Sequence, residues 1–224
     1  EPFSLHYQRS LYSSFQSIVR SSFQGLARNL RRLSEPIRVE AEYVLGMKDI
    51  LLQELKEIYR KKLDVVKTRV HGDYHLGQVL FTGKDFVILD FEGEPARTHS
   101  ERRLKRSPLR DVAGMIRSLH YAAYAGLLLN SQIRQEDVPA LLPYAGQWYH
   151  YMSGFFVRAY LSTVAGSPFV PADREEFRIM LRTYLLEKAV YEINYELNNR
   201  PEWLIVPLRG IRSILESQYM EESV

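Results

Sequence analysis

The sequence predicts a mainly α-helical protein, of the α+β class, with one small β hairpin in its first half. Apolar residues recur at steps of three and four along most of the chain, which is the helical period. Two short β-rich runs, residues 78–81 and 86–89, interrupt this pattern around a Gly-containing turn. The chain has 224 residues, 46% of them hydrophobic and 25% charged, which is typical of a globular protein and excludes disorder.

The elements follow in order. Residues 10–33 and 40–62 are predicted helices separated by Ser34-Glu35-Pro36, and the mixed charges at residues 54–62 indicate a solvated helix surface. Residues 65–70 read as a short strand, and the hairpin follows with Gly83-Lys84 as its turn. Further helices are predicted over residues 110–129, 138–165, 173–198 and 204–218, and Asp173 with Glu176 resembles a capping box.

Composition excludes several classes of protein. The chain has no cysteine, so it has no disulfide framework and no thiolate metal site, and it fits a reducing, cytoplasmic setting. The longest apolar run, residues 121–129, is far shorter than the roughly 20 residues of a membrane helix. A net charge of only +3 favours an ordinary surface over nucleic-acid binding. The basic cluster at residues 97–110 suits an anionic small molecule equally well.

Chemistry-bearing residues flank the hairpin. The segment His71-Gly72-Asp73-Tyr74-His75-Leu76-Gly77-Gln78 leads into it, and Asp90-Phe91-Glu92-Gly93-Glu94 follows it. If Gly83-Lys84 form the turn, Gln78 pairs with Leu89, and Gln78 and Asp90 converge at the open end beside Asp73. Such oxygen ligands suit Mg²⁺, and a loop carboxylate can accept a proton from a hydroxyl group.

The spacing of these residues matches that of phosphoryl-transfer enzymes. Protein kinases use H-R-D-x-x-x-x-N and D-F-G segments on either side of a hairpin. Here the corresponding segments read H-G-D-x-x-x-x-Q and D-F-E, with Gln in place of Asn and Glu in place of Gly. A lone Asp at a turn is more often a turn former, but the two motifs together favour a kinase-like protein.

Residues 71–80 (HGDYHLGQVL) and 87–96 (VILDFEGEPA) resemble the aminoglycoside-phosphotransferase-like kinase superfamily. Within it, the continuation through residues 101–118 and the segment 187–204 are similar to the maltokinases, which occur alone or fused to trehalose synthase. The resemblance covers most of the chain. It implies the C-terminal lobe of a kinase-like fold, with ATP as co-substrate, Mg²⁺ as cofactor and maltose as acceptor, phosphorylated to maltose 1-phosphate.

The resemblance also implies roles for single residues around the hairpin. Asp73 matches the catalytic base, and Gln78 and Asp90 match the metal ligands. Glu92 is a further ligand or holds a metal-bound water. His75, in the same loop, is expected either to hydrogen-bond the sugar or to brace the loop.

Two more residues are expected to support the structure rather than to react. In kinase-like folds an Asp placed like Asp111 braces the backbone of the catalytic loop. His71 is expected to be a structural histidine.

The acceptor site is predicted on the helix at residues 173–198. Lys188, Tyr191 and Tyr195 lie on one helical face, and Glu187 forms an i, i+4, i+8 row with the two tyrosines. Aromatic faces beside charged groups suit a disaccharide. The alternative is that both tyrosines are semi-buried core residues. Arg200 and Trp203, just after the helix, are weaker candidates.

The sequence contains neither G-x-G-x-x-G nor G-x-x-x-x-G-K-[ST], so it lacks a recognisable phosphate-binding loop. Residues 1–224 therefore read as the C-terminal, catalytic lobe of a kinase whose N-lobe is absent, and the absent initiator Met fits a start inside a longer protein. The isolated lobe is expected to be inactive. Two alternatives stay open: another small-molecule kinase of the same superfamily, or a non-catalytic accessory lobe of trehalose synthase.

Overall fold

The regular structure is almost entirely helical. The computed structural model describes residues 1–94 and 98–221, with side chains up to residue 216 at the C-terminal end. Arg97 of the basic cluster and Pro95-Ala96 of the predicted motif lie outside the described residues. The helices are α1 (Leu5–Asn29), α2 (Glu35–Gly46), α3 (Lys48–Lys56), α4 (His99–Arg102), α5 (Leu109–Leu128), α6 (Val138–Thr163), α7 (Arg174–Asn199) and α8 (Ile205–Glu221).

The first helix starts earlier than its apolar stripe predicts. The Ser4 side chain accepts a hydrogen bond from the backbone N–H of Tyr7 and so caps α1. After Asn29 the chain tightens into a 3₁₀ turn, Leu30–Arg32, where the predicted helix continued to residue 33. The buried face of α1 packs against α7, and it consists mainly of Leu11, Phe15, Val19, Phe23 and Leu26.

The predicted helix at residues 40–62 is two helices. α2 ends at Gly46, Met47 has φ −87° and ψ 6°, and α3 then runs to Lys56 before a 3₁₀ turn. Gly is among the poorest helix formers, so the break falls where helix propensity is lowest.

The predicted strand at residues 65–70 was wrong. The segment is extended, but it makes only isolated bridges, Pro2 with Val66 and Thr68 with Arg106. Its neighbours are two separate stretches of chain, so no continuous ladder forms among the described residues. The β-branched residues of this segment thus correctly indicated an extended backbone, but the segment does not form a sheet.

The hairpin and its register were predicted correctly. β1 (Val79–Phe81) pairs antiparallel with β2 (Phe86–Ile88), with Phe81 opposite Phe86. The Leu89 N–H donates to the Gln78 carbonyl at 2.9 Å, which extends the pairing to the predicted position. Gly83 has φ +90°, a conformation that favours glycine, and it lies in the turn.

One hydrophobic core joins the helices. α7 lies at its centre, since it packs against α1, α5 and α8, whereas α6 packs on α5. The Asp173 side chain accepts from the N–H of Glu176 and caps α7. This is one half of the predicted capping box, since the Glu176 carboxylate pairs with Lys61 at 2.9 Å. In the described part of the chain, no helix is both long and apolar enough to cross a bilayer.

Candidate active site

The loop before the hairpin is held by α5. The carboxylate of Asp111, in the first turn of α5, accepts from the N–H groups of His71 (2.7 Å) and Gly72 (2.9 Å). Burial raises the pKa of Asp111, although both amides and the His71 ring oppose this. Because a carboxylate that accepts two backbone amides fixes both of them, the position of Asp73 is set from α5.

His71 connects this loop to the end of the hairpin. Its Nε2 lies 2.7 Å from the Leu89 carbonyl, and since a carbonyl only accepts, Nε2 carries the proton. Nδ1 is then the acceptor for the N–H of Asp73, at 3.4 Å. The buried ring therefore joins the Asp73 backbone to the residue that precedes Asp90.

Asp73 lies between two cationic or proton-bearing side chains. Lys188 Nζ, on α7, is 3.5 Å from Asp73 Oδ1, and His75 Nε2 is 3.8 Å from Asp73 Oδ2. His75 Nδ1 accepts from the N–H of Gly77 at 3.0 Å, so the neutral ring carries its proton on Nε2, toward Asp73. A Cβ on Gly77 would lie 2.8 Å from the His75 ring, so glycine lets the ring fold back over the backbone.

The predicted metal ligands meet at the hairpin end. The Gln78 side-chain amide donates to Asp90 Oδ2 at 3.0 Å, and Asp90 has φ +57°, in the left-handed region that favours glycine. Asp90 is exposed, and Glu92 is exposed two residues beyond it. An amide oxygen and a carboxylate are the hard donors that Mg²⁺ takes, usually together with substrate phosphates and water.

The protein alone does not complete a metal site there. Within residues 1–94 and 98–221, no group of three or more His, Asp or Glu side chains lies close enough to hold a metal ion. Gln78 and Asp90 fit a Mg²⁺ ion whose remaining ligands come from nucleotide phosphates and water.

A cleft of about 610 Å³ opens beside Asp73, between the loop that carries Asp73, α5 and α7. The predicted acceptor residues His75, Lys188, Tyr191 and Tyr195 all line it. Volumes of roughly 300–1,000 Å³ are typical of small-molecule sites. Sequence reasoning missed several lining side chains, namely Glu94, Ser118, Tyr121, Glu192 and Glu196.

A buried ion pair and a tyrosine hydrogen bond join α5 and α7 in the wall of the cleft. Arg117 Nη2 and Nε lie 2.7 and 3.0 Å from Glu192 Oε2. The Tyr121 hydroxyl donates to Glu196 Oε1 at 3.0 Å, and burial raises the pKa of this tyrosine so that it stays a neutral donor. Each carboxylate thus has a donor from α5 that holds it in place.

Two other contacts modify the predicted acceptor face. The Tyr191 hydroxyl donates to the buried carboxylate of Glu94, which ties the loop after the hairpin to α7. Glu187 does not join the two tyrosines at the cleft; it is buried against Arg110 at 3.2 Å, and this pairing raises the pKa of Arg110. Arg200, predicted more weakly, lies on the cleft, and Trp203 packs parallel to Tyr121.

The missed residues carried only a partial signal. Glu94 stands two residues after Glu92 in the motif segment, and Glu192 and Glu196 flank the predicted tyrosines on α7. On a lone helix such glutamates read as solvated surface. Tyr121 is about 70 residues from α7 in sequence, so only the packing of α5 on α7 shows that it belongs to the cleft.

The curated proteins to which the chain is similar are sugar kinases. No protein-family model matches the chain. The chain is 33% identical over 151 residues to a glucosamine kinase of Mycolicibacterium smegmatis, covering 65% of this chain and 34% of that protein. It is 26% identical over 146 residues to a glucosamine kinase of Streptacidiphilus jiangxiensis, covering 65% and 31%. The chain thus matches about one third of each curated relative.

Solved structures agree on the fold. A glucosamine kinase in complex with glucosamine, ADP and inorganic phosphate superposes with a TM-score of 0.76 at 17% identity, covering 100% of this chain and 51% of that one. Another crystal form of glucosamine kinase gives 0.77 at 18% identity, covering 100% and 50%. The mostly helical fold with one small antiparallel sheet is therefore similar to about half of a sugar kinase. None of the proteins named here is a maltokinase.

Proposed function

We propose that this chain is the catalytic, acceptor-binding lobe of an ATP-dependent sugar kinase. The observation that carries the proposal is the position of Asp73, at the edge of a sugar-sized cleft and in the loop that leads to the Gln78–Asp90 pair. The glucosamine kinases to which the chain is similar support it. The nucleotide-binding part of the enzyme is then expected outside this lobe.

The residues suggest how the transfer proceeds. Asp73 accepts the proton of the sugar hydroxyl as that oxygen forms a bond to the γ-phosphorus of ATP and the bond to the leaving ADP oxygen breaks. Lys188 and His75 orient Asp73 and hydrogen-bond the acceptor. A bound Mg²⁺, held by Gln78 and Asp90 with Glu92 as a further ligand or water-holder, would neutralise phosphate charge.

We propose maltose as the acceptor, phosphorylated on its anomeric hydroxyl. The cleft is large enough for a disaccharide, and Tyr191 and Tyr195 provide aromatic faces beside hydrogen-bonding groups. A second cavity of about 540 Å³ adjoins it and shares Ser118 and Tyr121. The resemblance to maltokinases also makes a fused trehalose synthase domain the partner to look for.

Glucosamine is the second candidate acceptor, because both curated relatives are glucosamine kinases. The full-length protein should be incubated with ATP, Mg²⁺ and either maltose, glucosamine, glucose or an aminoglycoside, and the products separated and assigned by phosphorus NMR. Maltose 1-phosphate supports the first proposal, and a phosphorylated glucosamine supports the second. Phosphorylation of an aminoglycoside alone would contradict both.

Replacement of Asp73 by Asn tests catalysis itself. We expect the Asp73→Asn variant of the full-length protein to lose about 10²–10⁴-fold in kcat, since general base catalysis contributes that much. The matched control is Asp64→Asn, because the Asp64 side chain is 99% exposed and does not line the cleft. Full activity in Asp73→Asn would instead favour a non-catalytic accessory lobe.

A further inference from the structure

The outer face of α6 is apolar and exposed. Among its 26 residues only Arg158 is a Lys, Arg, Asp or Glu, and α5 is the helix against which α6 packs. A helix that is apolar around most of its circumference is normally buried. Large side chains nevertheless lie open on the side away from α5, namely Leu141, Tyr144, Trp148, Tyr151, Met152 and Phe155.

These six residues, here called the α6 stripe, form one continuous surface. Their spacing of three and four residues keeps them on one side of the helix over about 21 Å. Tyr144, Tyr151 and Phe155 are each more than 60% exposed. With about 150–250 Å² per aromatic side chain, the stripe exposes on the order of 600 Å². One partner of a standard protein interface buries about 800 Å².

We propose that the α6 stripe binds the same stripe of a second copy of this chain, with the two helices antiparallel about a two-fold axis at Trp148. A two-fold interface requires a self-complementary patch. The stripe meets this requirement, because Leu141 then faces Phe155 and Tyr144 faces Met152, while the two Trp148 side chains meet at the axis. A patch without fixed charges presents nothing that would repel its own copy.

The charges at the two ends of α6 support this register. In the antiparallel pair Arg158 of one copy lies opposite residue 138 of the other, beside Asp137 at the start of α6. Asp137 and Glu136 already share one cation, Arg134, at 2.8 and 2.9 Å. The start of α6 is therefore net negative and complements Arg158 at the far end.

The test is the oligomeric state of the full-length protein, measured by sedimentation velocity at micromolar concentrations. The wild type is expected to be a dimer, and Trp148→Glu, which places two carboxylates at the axis, is expected to halve the mass. Val39→Glu is the matched control, because Val39 is an exposed apolar residue on α2. Circular dichroism confirms that each variant is folded.

A charge exchange tests the register separately. Arg158→Asp alone should weaken the dimer at least tenfold, and Arg158→Asp combined with Asp137→Arg should restore it. A monomeric wild type overturns the proposal, whether the stripe is then covered by another part of the polypeptide or by a different protein. A dimer that survives Trp148→Glu overturns it as well.

Discussion

At the scale of single residues, Arg117 is a charged side chain held in the interior of the protein. It is 1% exposed and donates to Glu192 Oε2 through two nitrogens. A Cβ on Gly210 would collide with its Nη1. Arg117 and Glu192 thus bring α5, α7 and α8 together behind the cleft. A guanidinium in this position requires a glycine on the facing helix.

Removal of one partner of this pair should be costly. Arg117→Met leaves the Glu192 carboxylate buried without its cation, and we expect a loss of about 3–5 kcal/mol in the free energy of unfolding. The double variant Arg117→Met, Glu192→Leu should recover most of it, because neither charge then remains. Denaturant unfolding of the four proteins of this cycle measures the effect. Equal losses in the single and double variants would contradict it.

His120 should make the protein sensitive to acid. Burial, with a smaller effect of Arg117, keeps the pKa of His120 well below its usual value of about 6.5, so the folded protein holds it neutral between Tyr124 and Tyr149. In the unfolded chain the His120 imidazole takes up a proton below pH ~6.5. The free energy of unfolding therefore falls as the pH drops through that value. Between pH 7.5 and 5.5 this contributes about 1.4 kcal/mol. Between pH 7.5 and pH 5.5 the free energy of unfolding of His120→Phe should therefore fall by about 1.4 kcal/mol less than that of the wild type. Denaturant titrations at the two pH values measure the difference.

At the scale of elements, α5 supports the loop that carries Asp73 by direct contact. Gly114 has no side chain where the Tyr74 carbonyl approaches, and a Cβ there would lie 2.6 Å from that oxygen. The same helix supplies Asp111 to the other side of the loop. The helix therefore contacts the loop through both a close backbone approach and hydrogen bonds.

Gly114→Ala should push the loop away and lower kcat by roughly 10²-fold, because displacements of about 1 Å have effects of that size. Gly46→Ala, at the exposed end of α2, is the control. Nothing lies within 4 Å of its added Cβ, so it should keep full activity and gain up to about 1 kcal/mol. Steady-state kinetics of both variants in the full-length protein measure the difference in kcat. Equal activity of the two would show that the contact with Tyr74 is dispensable.

The elements also show what a sequence can predict. The hairpin register followed from the turn residues, and the long helices followed from their apolar period. The extended run at residues 65–70 did not form a strand, because its hydrogen-bond partners come from two distant segments. Helical spacing alone predicted Glu187 beside the two tyrosines, but its side chain is buried in an ion pair with Arg110. Such outcomes depend on packing between elements, which local patterns do not contain.

At the scale of the whole molecule, the fold is similar to about half of a sugar kinase, and the sequence has no recognisable phosphate-binding loop. Exposed apolar residues of the hairpin, such as Phe81 and Phe86, are consistent with a further part of the enzyme that packs against this lobe. The isolated 224-residue chain is therefore expected to bind ATP at least 100-fold more weakly than the full-length protein, and to have no measurable kinase activity. Calorimetry and a coupled assay measure both. A robust rate from the isolated chain would refute this.

The position of α7 has a consequence for protein engineering. One face of this helix lies in the core, while Lys188, Tyr191, Glu192, Tyr195 and Glu196 contribute to the cleft within nine consecutive residues. A single mutagenic oligonucleotide therefore reaches five of the residues that line the cleft. Glu192, Glu196 and Tyr191 have buried partners, and Lys188 lies against Asp73, so these four residues should be kept fixed. Selection for a new acceptor should therefore begin at Tyr195.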